Sequence, residues 1–395
     1  MNIRIKMIVC IVAAVLMASV LHAKRGDYNG TTAVLFTQVP LSTRALGMAG
    51  AFTALAHESE SIAYNPAGIT YVRKAGITVL MQDWIADTSL KYGSIIHPLP
   101  NNSTAALSVR TVGTPKLNNY NAWGEIIGKL NYSALSVDAT YARLIRNHRF
   151  GITGRYFSEN IDDNNKGGIS FDVGWRHRIN PITFNLFDTT IMTRSIWIGS
   201  AIKHLGTKIY GHPQRTMITL GAGYIFSPAL LTAIDISKPV YIWKSLIDGF
   251  YQVNIGTEYN WREWIYGRFG IRLASNDASN ITFGTGIKYS WRTYSIRLDY
   301  AFIPYWRFFN AHQISISFKM NGFVASVMSD EDIKKVDYYY KKALILYMKN
   351  DFDQSLEYLN KLLAIDPHHS AALEKREELR ALQGSIAEPK KEWED

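Results

Sequence analysis

Ten charged residues sit at positions where a two-residue alternation turns polar side chains to one face: Arg110, Asp138, Asp172, Arg176, Lys203, Glu258, Lys288, Arg297, Asp299 and Lys319. Charges of both signs on one face can pair with each other and keep an interior wet. A cation on that face can also hold an anionic head group, and Arg110, Arg176, Lys203, Lys288 and Arg297 are the candidates for that use. The patterns that carry catalysis are missing from the sequence. The histidines form no HExxH spacing, His368 and His369 stand side by side after Pro367, and no GxSxG elbow, phosphate loop or dinucleotide fingerprint occurs in a strand-to-helix context. The single cysteine, Cys10, lies in an N-terminal apolar run, which leaves no thiol for disulfides, nucleophilic catalysis or metal ligation after it. No enzymatic activity, cofactor or metal is expected.

The elements that carry these charges alternate strictly. In "YQVNIGTEY" Tyr251, Val253, Ile255, Thr257 and Tyr259 share one face, with Gln252, Asn254, Gly256 and Glu258 on the other. In "ITFGTGIKYSW" Ile281, Phe283, Ile287, Tyr289 and Trp291 oppose Thr282, Gly284, Gly286, Lys288 and Ser290. One face is apolar and the other is polar or glycine, which is the pattern of a half-buried strand. Fourteen such segments begin near Ala75, Ser89, Thr104, Tyr132, Arg149, Gly168, Ser195, Thr216, Leu231, Tyr251, Ile265, Ile281, Tyr294 and Gln313.

Several alternate connections are tight, at 146–148, 227–229, 260–263 and 291–293, whereas those between them run long at 113–129, 159–167 and 238–249. Short turns at one end and longer loops at the other describe an outer-membrane barrel. The connection at 179–193 breaks the rule and is read as hiding a short helix or a miscounted strand. Trp84, Trp243, Trp261, Trp264, Trp291 and Trp306 lie near strand ends, where interfacial girdles form. After Ala23 no apolar stretch reaches the roughly 18 residues of a membrane-spanning helix, so a membrane protein of this sequence must be a closed barrel.

Residues 1–23 read as a signal peptide: Arg4 and Lys6 precede the apolar run Met7 to Val20, and Ala23 is small enough for cleavage before Lys24. Near Ser329 the period lengthens to that of a helix. Residues 336–367 fit the roughly 34-residue tetratricopeptide (TPR) frame, with Tyr339 in the large aromatic slot, Ala343 in the small one, Phe352 opening the second helix, then Ser355, Leu359 and Pro367. Lys342 replaces the usual aliphatic residue and Leu362 the usual alanine. The chain carries +10 overall, yet residues 329–395 hold 15 acidic and 11 basic residues. The basic excess belongs to the strand region, spread one or two residues per strand, without the dense stripe of a nucleic-acid surface. Lipids and envelope polymers are the expected anionic partners.

Ahead of the first strand stands "LGMAGAFTALAHESESIAYNPAGI", in which Gly47, Gly50, Asn65, Pro66, Ala67 and Gly68 form the motif. This stretch resembles the N-terminal plug of the FadL family of outer-membrane transporters, and equally of the FadL-like barrels that include PorV of the type IX secretion pathway. Small residues let the plug backbone lie against a barrel wall; Pro66 is expected to end a helical stretch and Gly68 to allow a sharp turn into the first strand. The reading is mainly β: a barrel of about 14 transmembrane strands at 74–322, a plug at 24–73, an all-α TPR-like module at 329–385 and a tail at 386–395. The resemblance implies uptake of a hydrophobic ligand such as a long-chain fatty acid by a monomeric barrel. A PorV-like scaffold for protein secretion or envelope assembly is the alternative, with the TPR-like module binding a periplasmic protein.

Overall fold

The structure, a computed structural model, describes residues 34–56, 58–72, 74–83, 88–115, 117–162, 164–179, 183–186, 189–192, 196–227, 229–240, 251–262, 264–274, 280–291, 294–305, 309–320, 330–365 and 369–387. The signal-peptide reading, Trp84, Trp243, Trp306, Pro367, His368 and residues 388–395 lie outside this set.

Strands follow the two-residue period closely. In chain order they are β1 (Ala75–Asp83), β2 (Ser89–Leu99), β3 (Ser103–Gly113), β4 (Leu117–Tyr120), β5 (Ile126–Leu130) and β6 (Tyr132–Ile145). Then come β7 (His148–Ile161), β8 (Asn164–Ile179), β9 (Thr183–Leu186), β10 (Thr189–Met192), β11 (Ile196–Gly206) and β12 (Thr216–Ser227). The last six are β13 (Leu230–Val240), β14 (Gln252–Trp261), β15 (Ile265–Ala274), β16 (Asn280–Trp291), β17 (Tyr294–Tyr305) and β18 (Phe309–Met320).

Fourteen of these close into one antiparallel barrel, β1 pairing with β2 on one side and with β18 on the other, from Ala75 opposite Met320 to Asp83 opposite His312. Closure leaves no unpaired strand edge for lipid to meet. Along β1, Ile77, Val79 and Met81 are 49%, 48% and 58% exposed while Thr78, Leu80 and Gln82 are buried. The same inversion, apolar outside and polar inside, recurs around the wall, as a bilayer requires. Trp261, Trp264 and Trp291 are exposed at strand ends, the first two with ring centroids 5.4 Å apart.

Turns at one end are tight because left-handed residues reverse the chain: Asn101 and Asn102 after β2, Arg146 after β6 and Arg262 after β14 all have positive φ. Three connections depart from the sequence reading. Among the described residues of the segment at 179–193 there is no helix, and its β9 and β10 pair with each other outside the barrel. The long connection at 113–129 contains a second such hairpin, β4–β5. The loop expected at 159–167 is short, because β7 and β8 remain paired out to Ile161 and Asn164, with Asp162 at positive φ in the turn.

The helices after the barrel, Asp330–Met348, Phe352–Ile365 and Ser370–Ala387, form a separate compact unit together with residues 179–195. Ala343 and Ser355 are fully buried and the Ser355 hydroxyl donates to the Ala343 carbonyl at 2.8 Å, so two small residues let the first two helices approach. Leu359, Leu362 and Leu363 fill the space around that contact, with Tyr339 and Phe352 packed on it. Asn350 at φ 62 turns the chain between these helices. The last helix runs past the expected boundary at 385, to Ala387.

Candidate functional site

Residues 34–56 and 58–72 run inside the barrel as a chain of short turns. Leu35–Gln38, Ser59–Ala63 and Pro66–Tyr71 are 3-10 turns, and Thr43–Leu46 is a single α-helical turn. Two expectations need correction. Pro66 separates two turns but also starts the second, as the first residue after the Asn65 cap, whose side chain accepts from the Ala67 amide at 3.1 Å. Gly68 lies inside that turn and makes no sharp reversal; a Cβ there would overlap Ala56, so close packing is what requires glycine.

The plug rests on a track of inward-facing glycines. Gly256 and Gly270 oppose each other across β14 and β15, as do Gly199 and Gly221 across β11 and β12, and Gly151 and Gly174 across β7 and β8. A Cβ on any of these six would come within 3.0 Å of another atom, plug backbone in most cases: Met48 and Ala49 for the first pair, Thr53 and Ala54 for the second, Pro66 and Ala67 for the third. Gly47 meets Gly284 of β16 in the same way, at 2.9 Å from its built Cβ to the Gly284 Cα. The wall has no side chains along this path, and plug backbone takes their place. Gly50 has a different reason, a φ of +85°.

Polar contacts fix the plug's height on the track. Asp235 Oδ2 accepts from the amides of Phe52 and Thr53 at 2.9 and 2.8 Å. Asn65 Nδ2 donates to the carbonyls of Thr53 and Trp175, both at 3.0 Å, joining plug to β8. Asn65→Ala should therefore destabilise the seated plug by about 2 kcal/mol, because it removes a cap and two cross-links from a fully buried position. A lowered denaturation midpoint for the detergent-solubilised barrel is the readout, and an unchanged midpoint would contradict the assignment.

A buried ionic lattice holds the other side. Arg44 pairs with Glu258 at 2.6 Å and Glu58 at 3.3 Å, and Arg268 pairs with Glu258 at 2.6 Å and Asp299 at 2.9 Å. Arg297 joins Asp299 at 2.8 Å and also Glu58. The lattice ties two plug residues, Arg44 and Glu58, to β14, β15 and β17.

The five sequence-derived cations divide accordingly. Arg297 belongs to the lattice. Arg176 donates to the Ala56 carbonyl and lies over the rings of Tyr71 and Trp197, at 4.2 and 4.4 Å from their centroids. Lys203 reaches the Ala63 carbonyl at 3.4 Å, and Lys288 is half-buried near the short-turn end of β16. Arg110 donates Nη1 to the Phe36 carbonyl at 3.0 Å, while its Nε and Nη2 find no partner among the described residues although the side chain is 1% exposed. Its register neighbours Tyr92 and Ser136 likewise have unpartnered buried hydroxyls. These polar atoms border an apolar cluster formed by Val34, Phe36, Leu90, Val112, Phe157 and Ile209.

The sequence reading passed over Arg44, Glu58, Arg155, Asp235 and Arg268. Alternation along β7, β13 and β15 puts Arg155, Asp235 and Arg268 inside, but Arg44 and Glu58 lie on irregular backbone with no period to follow.

Comparison with known proteins adds the following. No family model matches the chain. The chain is similar to FadL-type channels. Solved structures that resemble it include the toluene transporter TbuX of Ralstonia pickettii (12% identity, 71% of this chain and 97% of that one, TM-score 0.49). The toluene transporter TodX of Pseudomonas putida gives 12% identity over 70% of this chain and 97% of that one, TM-score 0.46. A FadL homologue of Pseudomonas aeruginosa gives 10% identity over 71% and 98%, TM-score 0.46. A stretch of 43 residues is 44% identical to an uncharacterized protein of Methanocaldococcus jannaschii, covering 11% of this chain and 50% of that one.

Proposed function

We propose that this protein carries hydrophobic molecules across the outer membrane, and that its ligand is an amphiphile with one acidic group, such as a long-chain fatty acid. The observation that carries the reading is the setting of Arg110. Two of its donors are buried and unpartnered at the border of an apolar cluster. A buried, half-satisfied guanidinium is costly unless something completes it. A carboxylate offers two acceptors to Nε and Nη2, while its tail would lie along Leu90, Val112 and Phe157. Arg176, Lys203 and Arg297 are engaged with plug and wall, which supports a fastening role for them ahead of a ligand role.

The helical unit supports the second reading, a scaffold for a protein partner, because it is compact by itself and no transport step needs it. A periplasmic location for the TPR-like module goes with that reading.

Native mass spectrometry of the full chain, extracted from its own membrane in mild detergent, tests both. A bound acidic amphiphile, reduced about tenfold or more in Arg110→Leu, is the expected result. A stoichiometric protein partner without lipid would overturn the transport reading in favour of the scaffold.

A further inference from the structure

The ionic lattice leaves one acid over. Among the described residues Arg44, Arg268 and Arg297 are matched by Glu58, Glu258 and Asp299, with Arg44 and Arg268 each touching two of these carboxylates and Arg297 all three. Glu60 lies beside this balanced set and is 1% exposed. Its Oε2 accepts from the Ser42 hydroxyl at 2.6 Å, and its Oε1 has no partner among the described residues. Ionised, Glu60 would add a seventh buried charge to this set, and among the described residues no guanidinium forms an ion pair with it.

The geometry points to Glu60 as a proton-binding site of the plug: with a proton on Glu60 the seated plug is electrically balanced, and with Glu60 ionised the plug is loosened from the wall. The surroundings agree from every side. Glu58 and Asp299 face Glu60 with like charge, from the plug and from β17, and Arg297 opposes them. Arg44 and Glu258 lie one contact further within the lattice, as does Arg268 of β15. Tyr64 of the plug and Tyr92 of β2 are nearby phenols, and burial pushes the Tyr64 phenol up. Burial first, then Asp299 and Glu58, push the Glu60 carboxyl up to about 7.

The sign of the effect follows. A released plug exposes Glu60 to water, where it titrates in the ordinary carboxylate range. Between that range and about 7 the seated state therefore binds more protons than the released one, and raising the pH weakens seating. From about pH 6 to about pH 8 the released fraction should rise about tenfold.

The test uses the full chain in planar lipid bilayers. Conductance is recorded across that pH range, with amide exchange of residues 52–65 followed in parallel. The expected result is that conductance and exchange both rise with pH in the natural protein, and that Glu60→Gln stays at the low-pH level throughout. A natural protein whose conductance and exchange are flat over this range overturns the proposal, whether or not the variant folds. So does a Glu60→Gln protein that keeps the natural pH response. Neither readout uses a transported ligand, so a failed transport reading leaves this result standing.

Discussion

Glu258→Leu should unseat the plug. Glu258 is 2% exposed and accepts from Arg44 of the plug and Arg268 of β15, so removing its charge leaves a surplus guanidinium in the interior. Losing one partner of a buried ion pair typically costs about 3–5 kcal/mol. Much of that cost is relieved if Arg44 leaves for water, and Arg44 leaves only when the plug does. The expected signs are a large rise in bilayer conductance and new trypsin cleavage after Arg44, which is otherwise buried. Unchanged conductance with Arg44 still protected would show that the plug stays seated without the Glu258 ion pairs.

The second large effect belongs to the track. Gly270→Val would place its side chain in the backbone of Met48 and Ala49, where neither a rotamer change nor a side-chain shift makes room. Overpacking of this kind costs about 1–3 kcal/mol, and rigid backbone on the receiving side puts it at the upper end. Gly267→Val, on the same strand but with nothing within 4 Å of the added Cβ, is the control. Gly270→Val should raise conductance and the exchange rates of plug amides while Gly267→Val leaves both unchanged. Equal behaviour of the two variants would remove close packing as the reason for glycine on the inner face.

Most of the barrel was legible because each strand repeats one local rule. Apolar residues at every second position identified all fourteen strands, and inward alternation placed Arg110, Asp138, Asp172, Glu258 and Asp299 on the buried face. Loop lengths were legible only where polar residues end the pairing. In "ENIDDNNKG" they do not, because β7 and β8 keep their ladder through Glu159–Lys166 and Asn160–Asn165. The plug was legible as a segment but not as a set of contacts. Its small residues signalled close packing, yet the partner glycines are spread from β7 to β16, and the Arg44–Glu258 pair spans a sequence separation of 214. No local period encodes contacts at that distance. The same limit explains why Gly68 reads as a turn from sequence and is a packing residue in the structure.

That separation also bears on how the molecule is made. The plug is synthesised before every strand, but β14 supplies the carboxylate that holds Arg44 and β17 the guanidinium that holds Glu58. Contacts so distant along the chain form only after most of the wall exists. Until then the plug segment has nothing to seat on, and afterwards it links strands from β7 to β17 through their inner faces. The buried lattice thus ties the seating of the first segment made to the arrival of the last strands: without β14 and β17, Arg44 and Glu58 lack the wall partners they have in the finished barrel.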